Sequence, residues 1–149
     1  IPLYLEQKIK IPFQASHLPF LVNFKGIIDR VDRRDGVLHI IDYKTGIVEE
    51  TDVRIKDWEN LITDIKYGKA FQLLTYAYMI TQHFKIDEPM IVANLSFKRL
   101  QKGFLRFHTY IDKVKDYDVT AQTLALYSQY TEQLLQEIFD IERPFYEKL

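Results

Sequence analysis

The sequence predicts an α/β fold, a central mixed β-sheet flanked by helices, and three features carry that expectation. Short runs of branched and aromatic apolar residues read as strands, and two longer stretches repeat their apolar residues at helical spacing. An Asp-Gly dipeptide joins two of the strand-like runs. In chain order the elements are three strands, a helix, two strands and a helix, a pattern suited to one mixed sheet in a single domain over residues 1–149.

Residues 3–13 form the first predicted strand, with Leu5, Ile9 and Ile11 alternating with Glu6, Lys8 and Lys10. Pro12 and the Ser16-His17-Leu18-Pro19 stretch end it in a loop. Residues 20–31 and 37–43 are the second and third strands, and Arg33-Arg34-Asp35-Gly36 is the hairpin turn between them. The third is apolar on both faces around Ile40 and Ile41, as a central strand covered by helices should be. Residues 46–66 are more polar, with a short helix expected around 57–65. From Tyr67 to Phe84 the period is helical: Phe71, Leu74, Ala77 and Tyr78 share a side that Ala70, Leu73 and Ile80 widen. Pro89 breaks the pattern. Met90–Phe97 reads as a buried strand, Gly103 as a turn, and Phe104–Ile111 as an antiparallel neighbour. The last helix is expected from about Val119 to Ile138, packing through Leu124, Tyr127, Leu134, Leu135 and Ile138, with an extended tail at Arg143-Pro144-Phe145.

The bulk composition narrows the function classes. At 47% hydrophobic and 28% charged, the 149 residues have the means to bury a core, which argues against disorder. The 10 tyrosines and 10 phenylalanines are assigned mainly to that core. Basic and acidic side chains, 20 against 21, nearly cancel. A free-standing non-specific DNA binder shows a basic excess, so this balance leaves a local basic groove or DNA held by other domains. The absence of cysteine removes disulfides and thiolate-ligated zinc or iron–sulfur clusters from this segment, and it suits a reducing, cytoplasmic setting. No stretch approaches the roughly 18 apolar residues of a membrane-spanning helix. The chain opens at Ile1 directly in strand-like sequence, so it is expected to be an excised piece of a longer protein.

The residues that point to chemistry are Asp29, Asp42 and Lys44. Gly26-Ile27-Ile28-Asp29-Arg30-Val31-Asp32 and Ile40-Ile41-Asp42-Tyr43-Lys44-Thr45-Gly46 each run through branched apolar residues into a carboxylate. Asp42 and Lys44 share a strand face while Tyr43 points into the opposite layer, and Asp29 on the antiparallel neighbour can approach Asp42 if the register allows. Two close carboxylates repel one another unless a cation offsets them. Magnesium fits such an oxygen-rich site, with manganese as a substitute. On this reading Asp29 and Asp42 bind the metal, the Tyr43 carbonyl adds a third oxygen, and Lys44 orients a water or offsets charge on a phosphate. The competing reading is an exposed hairpin end where Arg30, Asp32, Asp42 and Lys44 form ordinary ion pairs. Spacing alone leaves both open.

These two segments resemble the core motifs of the PD-(D/E)XK nuclease superfamily, and more narrowly the nuclease domains of RecB- and AddB-like helicase–nucleases and related exonucleases. In that resemblance Asp29 matches the first acidic motif, and Asp42 and Lys44 match the Asp-x-Lys pair. Gln72-Leu73-Leu74-Thr75-Tyr76 matches the Gln-x-x-x-Tyr helix motif, its two ends one turn apart on a common face. The resemblance covers roughly residues 4–145. It implies a restriction-endonuclease-like core and magnesium-dependent DNA hydrolysis, with Asp29, Asp42, Lys44, Gln72 and Tyr76 as catalytic residues. It also implies DNA as partner, beside a helicase domain or subunit of the same repair or recombination complex. The alternatives within the resemblance are a stand-alone exonuclease and a catalytically silent DNA-binding or scaffolding domain.

The pattern is incomplete in two places. Relatives carry an upstream helix with a histidine or glutamate that completes the metal shell, and this chain is expected to lack it. His17, His39, His83 and His108 are not assigned to metal, and Glu6 is expected to face solvent. AddB-like relatives also hold an iron–sulfur cluster through flanking cysteines; the Asp140–Phe145 segment resembles the lead-in to the distal group, but no cysteine is present. Candidate phosphate contacts are Arg30, Arg33, Arg34, Lys66, Lys69, Lys98, Arg99 and Lys102.

Overall fold

Two strands joined by the Asp-Gly turn organise the structure, a computed structural model describing residues 2–142 and residue 144. β2 (Val22–Arg34) and β3 (Val37–Lys44) pair antiparallel, with Arg30 opposite Ile41 and Arg34 opposite Val37. Asp35 and Gly36 both have positive φ, 50° and 81°, the turn whose twist matches that of the strands it joins. β1 (Pro2–Phe13) lies antiparallel along β2, and β5 (Met90–Ser96) runs parallel to β3. β6 (Phe104–Arg106) closes a five-stranded sheet in the order β1-β2-β3-β5-β6. The fold is thus the mixed sheet flanked by helices that the sequence predicts.

Helix α1 (Gly68–Phe84) packs across this sheet. It buries Ala70, Leu73, Leu74, Ala77 and Ile80, a stripe with the three-and-four spacing of one helix face, against Ile28, Ile40 and Val92 of the core. Its C-terminus stops at Lys85, which takes the left-handed conformation. Helix α2 (Ala121–Ile138) packs on α1, capped by the Thr120 side chain. Its buried residues are Leu124, Tyr127, Thr131 and Leu135. Ile138, expected in that stripe, is exposed instead.

Three expectations need correction. The expected strand over Phe104–Ile111 is broken at Phe107, whose ring is fully buried and whose N–H bonds Val92 O at 2.7 Å. Beyond it, β7 (His108–Ile111) joins a separate sheet with β4 (Arg54–Ile55) and β8 (Val114–Asp116), neither of which was anticipated. The short helix expected around 57–65 is two 3-10 turns, Trp58–Asn60 and Ile65–Tyr67. The tail expected at Arg143-Pro144-Phe145 lies, apart from Pro144, outside the described residues.

Candidate active site

The site forms where β2 parts from β3. On β2 the buried apolar positions are Ile28 and Val31, three apart, so the two-residue alternation of a strand changes phase between them. The same step occurs on β1, where Glu6 has φ 49°, between Tyr4, stacked on Phe84 of α1, and buried Ile9. The β2–β3 ladder ends at Arg30–Ile41, and its next step brings Asp29 opposite Asp42. There the Asp29 carboxylate accepts the Tyr43 N–H at 2.8 Å, in place of a strand carbonyl.

Asp42 is only 5% exposed. Burial raises its pKa most strongly, Lys44 acts in the opposite sense, and Asp29 adds a further upward push through charge and hydrogen bonding. The two carboxyl groups therefore share one electrostatic site. Lys44 Nζ lies 2.9 Å from Asp42 Oδ2 and donates to Gln72 Oε1 at 2.6 Å. Gln72 Nε2 in turn donates to the Tyr76 hydroxyl at 3.1 Å. A lysine donor at one end of the amide and a phenol acceptor at the other fix its orientation. Burial, then Asp42, then Asp29 push the Tyr76 pKa upward, so this phenol keeps its proton and can donate it.

Gly26 makes room for this relay. A Cβ there would sit 3.3 Å from Met79 Cε, the end of a flexible side chain, and in ordinary contact with Tyr76 Cε1 at 3.4 Å, so only a larger side chain would press on the Tyr76 ring. The opposite face of the hairpin holds a different cluster. Asp32, 1% exposed, pairs with Arg30 at 2.8 Å and Arg34 at 3.2 Å, and the Arg34 guanidinium lies over the Phe104 ring. Arg30 and Asp32 are ion-paired as the competing reading has it, with Arg34 added, and Asp42 and Lys44 are paired too, but on the acid pair's face. Tyr43 divides the two faces as expected: its N–H serves Asp29, and its ring packs on Phe97.

All five predicted site residues, Asp29, Asp42, Lys44, Gln72 and Tyr76, are brought together. The residues not assigned to metal have other surroundings. Glu6 is exposed, His17 faces Glu132, His39 bonds Val37 O, His83 meets Phe84, and His108 is buried beside Glu50. Among the described residues no group of three or more His, Cys, Asp or Glu could hold a metal ion. What the site does offer is hard oxygen: two adjoining carboxylates, one with Oδ2 buried and without an aligned hydrogen-bond donor. That donor set suits magnesium or manganese.

Most of the proposed phosphate contacts are engaged internally. Arg30 and Arg34 hold Asp32, Arg33 holds Glu88, Lys66 holds Asp64, and Arg99 and Lys102 both hold Glu49. Lys69 and Lys98 have no ion-pair partner among the described residues. Neither do Lys8, Lys10 and Lys25, which their sequence context does not single out. Lys10 stands directly opposite Lys25, and Lys8 opposite half-exposed Ile27, around a shallow concavity of about 410 Å³. Asn94 likewise escapes sequence reasoning. It is fully buried in register with Asp42.

No curated protein matches the chain. A crystal structure of a protein from Eubacterium rectale, assigned as an exonuclease, is similar at 15% identity with a TM-score of 0.36, covering 98% of this chain. The chain spans about half, 54%, of that structure's length. A family model for the PD-(D/E)XK nuclease superfamily matches residues 2–148. With that match over nearly its whole length, the chain belongs to the PD-(D/E)XK nuclease superfamily.

Proposed function

We propose that this domain hydrolyses DNA phosphodiester bonds with magnesium, as the nuclease domain of a RecB- or AddB-like repair or recombination helicase–nuclease. The observation that carries the reading is the connected set of an acid pair, Lys44, Gln72 and Tyr76. A domain kept only to bind DNA or to scaffold has no need of a carboxylate pair with one member buried, or of a relay holding a lysine beside it.

Asp29, Asp42 and the Tyr43 carbonyl hold the ion in this reading. When bound, magnesium supplies an acidified water and a polarised phosphoryl oxygen. The protein supplies position. Asp29, tied to the Tyr43 N–H, keeps the Tyr43 peptide and the acid pair in one frame. Gln72 holds Lys44 at the rim, where the ammonium directs a water and offsets charge on the phosphate. Tyr76 uses its hydroxyl oxygen to accept from Gln72 and its proton to donate to a phosphate oxygen. The unpaired Lys69 and Lys98 meet the backbone of the strand, and Lys8, Lys10 and Lys25, which alternate onto the sheet face away from Gly26 and Tyr76, extend its path past the site.

The test is cleavage of end-labelled DNA by the full-length protein in magnesium, with and without chelator. Cleavage that stops on chelation and in Asp42→Asn is expected. A protein that binds DNA but never cuts it under any divalent ion would favour the silent domain instead.

A further inference from the structure

The strand pair β3–β5 changes character row by row. Leu38 faces Met90 and Ile40 faces Val92, both rows apolar; then Asp42 faces Asn94 and Lys44 faces Ser96. The Ser96 hydroxyl is satisfied by Gly46 O at 2.6 Å. Asn94 is not satisfied: it is 0% exposed, and neither its amide nitrogen nor its amide oxygen has a hydrogen-bond partner. Its neighbour across β6 is Leu105. A leucine or valine would suit these surroundings better than an amide, since burying both ends of a carboxamide without partners is unfavourable. The buried Oδ2 of Asp42, one strand away in the same row, also lacks an aligned donor. Two complementary groups, a donor and an anionic acceptor, thus stand side by side in the interior.

We propose that Asn94 is a positioning residue of the acid site, its amide nitrogen donating to Asp42 Oδ2 when a divalent cation takes the carboxylate. The assignment rests on the metal-dependent nuclease reading. In the present arrangement Lys44 stands against Oδ2 and supplies the positive charge. Once a cation replaces that charge, Lys44 is held by Gln72 alone, and Asn94 becomes the inner partner that keeps the carboxylate from rotating. An anion beside a carboxamide selects its nitrogen end, and neither end of the Asn94 amide has another partner to give up. Partners of this kind behind a metal ligand alter affinity by about 10–100-fold when removed.

The experiment compares Asn94→Leu, Asn94→Thr and Asp42→Ala in the full-length protein, reading thermal unfolding in chelator and manganese affinity by calorimetry. Asn94→Leu is expected to unfold no earlier than wild type, because it removes an unsatisfied amide, yet to bind manganese about tenfold or more weakly. Asn94→Thr, which keeps a donor, should recover part of that loss. An Asn94→Leu protein with wild-type manganese affinity overturns the assignment, as does one that unfolds earlier, which would make the amide part of metal-free packing. If wild type neither binds manganese nor cleaves DNA, the nuclease reading itself falls; if Asp42→Ala does both like wild type, the metal is not held at Asp42 and the role of Asn94 falls with it. If Asp42→Ala loses both while Asn94→Leu loses neither, only the role of Asn94 is wrong.

Discussion

Replacing Asp42 with asparagine keeps the shape of the side chain and removes its charge, which makes it a direct probe of the site's electrostatics. Without metal, burial outweighs the Lys44 pair and Asp29 adds to it, so the fold disfavours the Asp42 carboxylate. Its Oδ2 is buried and meets Lys44 Nζ at 2.9 Å without good hydrogen-bond alignment, so part of the roughly 1–3 kcal/mol burden of a poorly partnered buried acceptor remains. Against it stands the Lys44 pair, whose ammonium side chain is 25% exposed and which contributes at most about 1 kcal/mol. The Asp42→Asn change should therefore stabilise the metal-free protein by roughly 1–2 kcal/mol, a rise of about 2–8 °C in the unfolding midpoint. The pH dependence has a fixed sign. Because the folded pKa is raised, the stability linked to protonated Asp42 is complete below its ordinary value of 3.8 and is lost as pH rises through the folded value. The advantage of Asp42→Asn should be absent below 3.8 and grow above it. Magnesium at a hundredfold excess over Kd adds about 2.7 kcal/mol to a protein that binds it, so the order of the two midpoints should reverse. Thermal unfolding in chelator and in magnesium, across pH at fixed ionic strength, reads all three effects. An asparagine variant less stable than wild type in chelator at neutral pH would refute the electrostatic argument.

Three further outcomes follow from the geometry. Gly26→Val should displace the Tyr76 ring and lower the cleavage rate by about 10–100-fold while the far-ultraviolet circular dichroism stays that of wild type, since positional errors near 1 Å act on that scale. Asp32→Ala leaves Arg30 and Arg34 without their buried anion and should cost about 2–3 kcal/mol in urea unfolding, below the range for fully buried pairs because both guanidiniums are partly exposed. The triple change Lys8→Ala, Lys10→Ala and Lys25→Ala should flatten the plot of log affinity against log salt for single-stranded DNA by about 2, near 0.7 for each phosphate no longer neutralised. An unchanged slope would remove the β1–β2 face from the DNA path.

Which parts of this were legible in sequence follows from the range of the signals. The hairpin announced itself through Asp35-Gly36, a local signal, whereas the Gln72–Tyr76 pair stood out only through the family resemblance, its spacing of one helical turn doing no more than allow the contact. The strands β4 and β8 carried no such mark. The turn between β7 and β8 has the same positive-φ pair as the first hairpin, but Asp112 and Lys113 provide it without glycine. The break at Phe107 is decided by a buried ring and a bond to Val92, both set by tertiary packing. The arginines expected as phosphate contacts show the same limit. Arg33 meets Glu88 from 55 residues away and Arg99 meets Glu49 from 50, so only the fold reveals which basic groups are already neutralised. Asn94 was hidden in an apolar strand, where nothing but its register with Asp42 distinguishes it.

The central claim is that one acid pair holds the metal and that Lys44 acts on the substrate beside it. Manganese binding by calorimetry and cleavage of end-labelled DNA, measured together on Asp42→Ala and Lys44→Ala of the full-length protein, separate these roles. Asp42→Ala should lose both binding and cleavage, and Lys44→Ala should keep binding within a few-fold while cleavage falls by about a hundredfold or more. Wild-type cleavage in either variant, or loss of manganese binding in Lys44→Ala alone, would contradict the account.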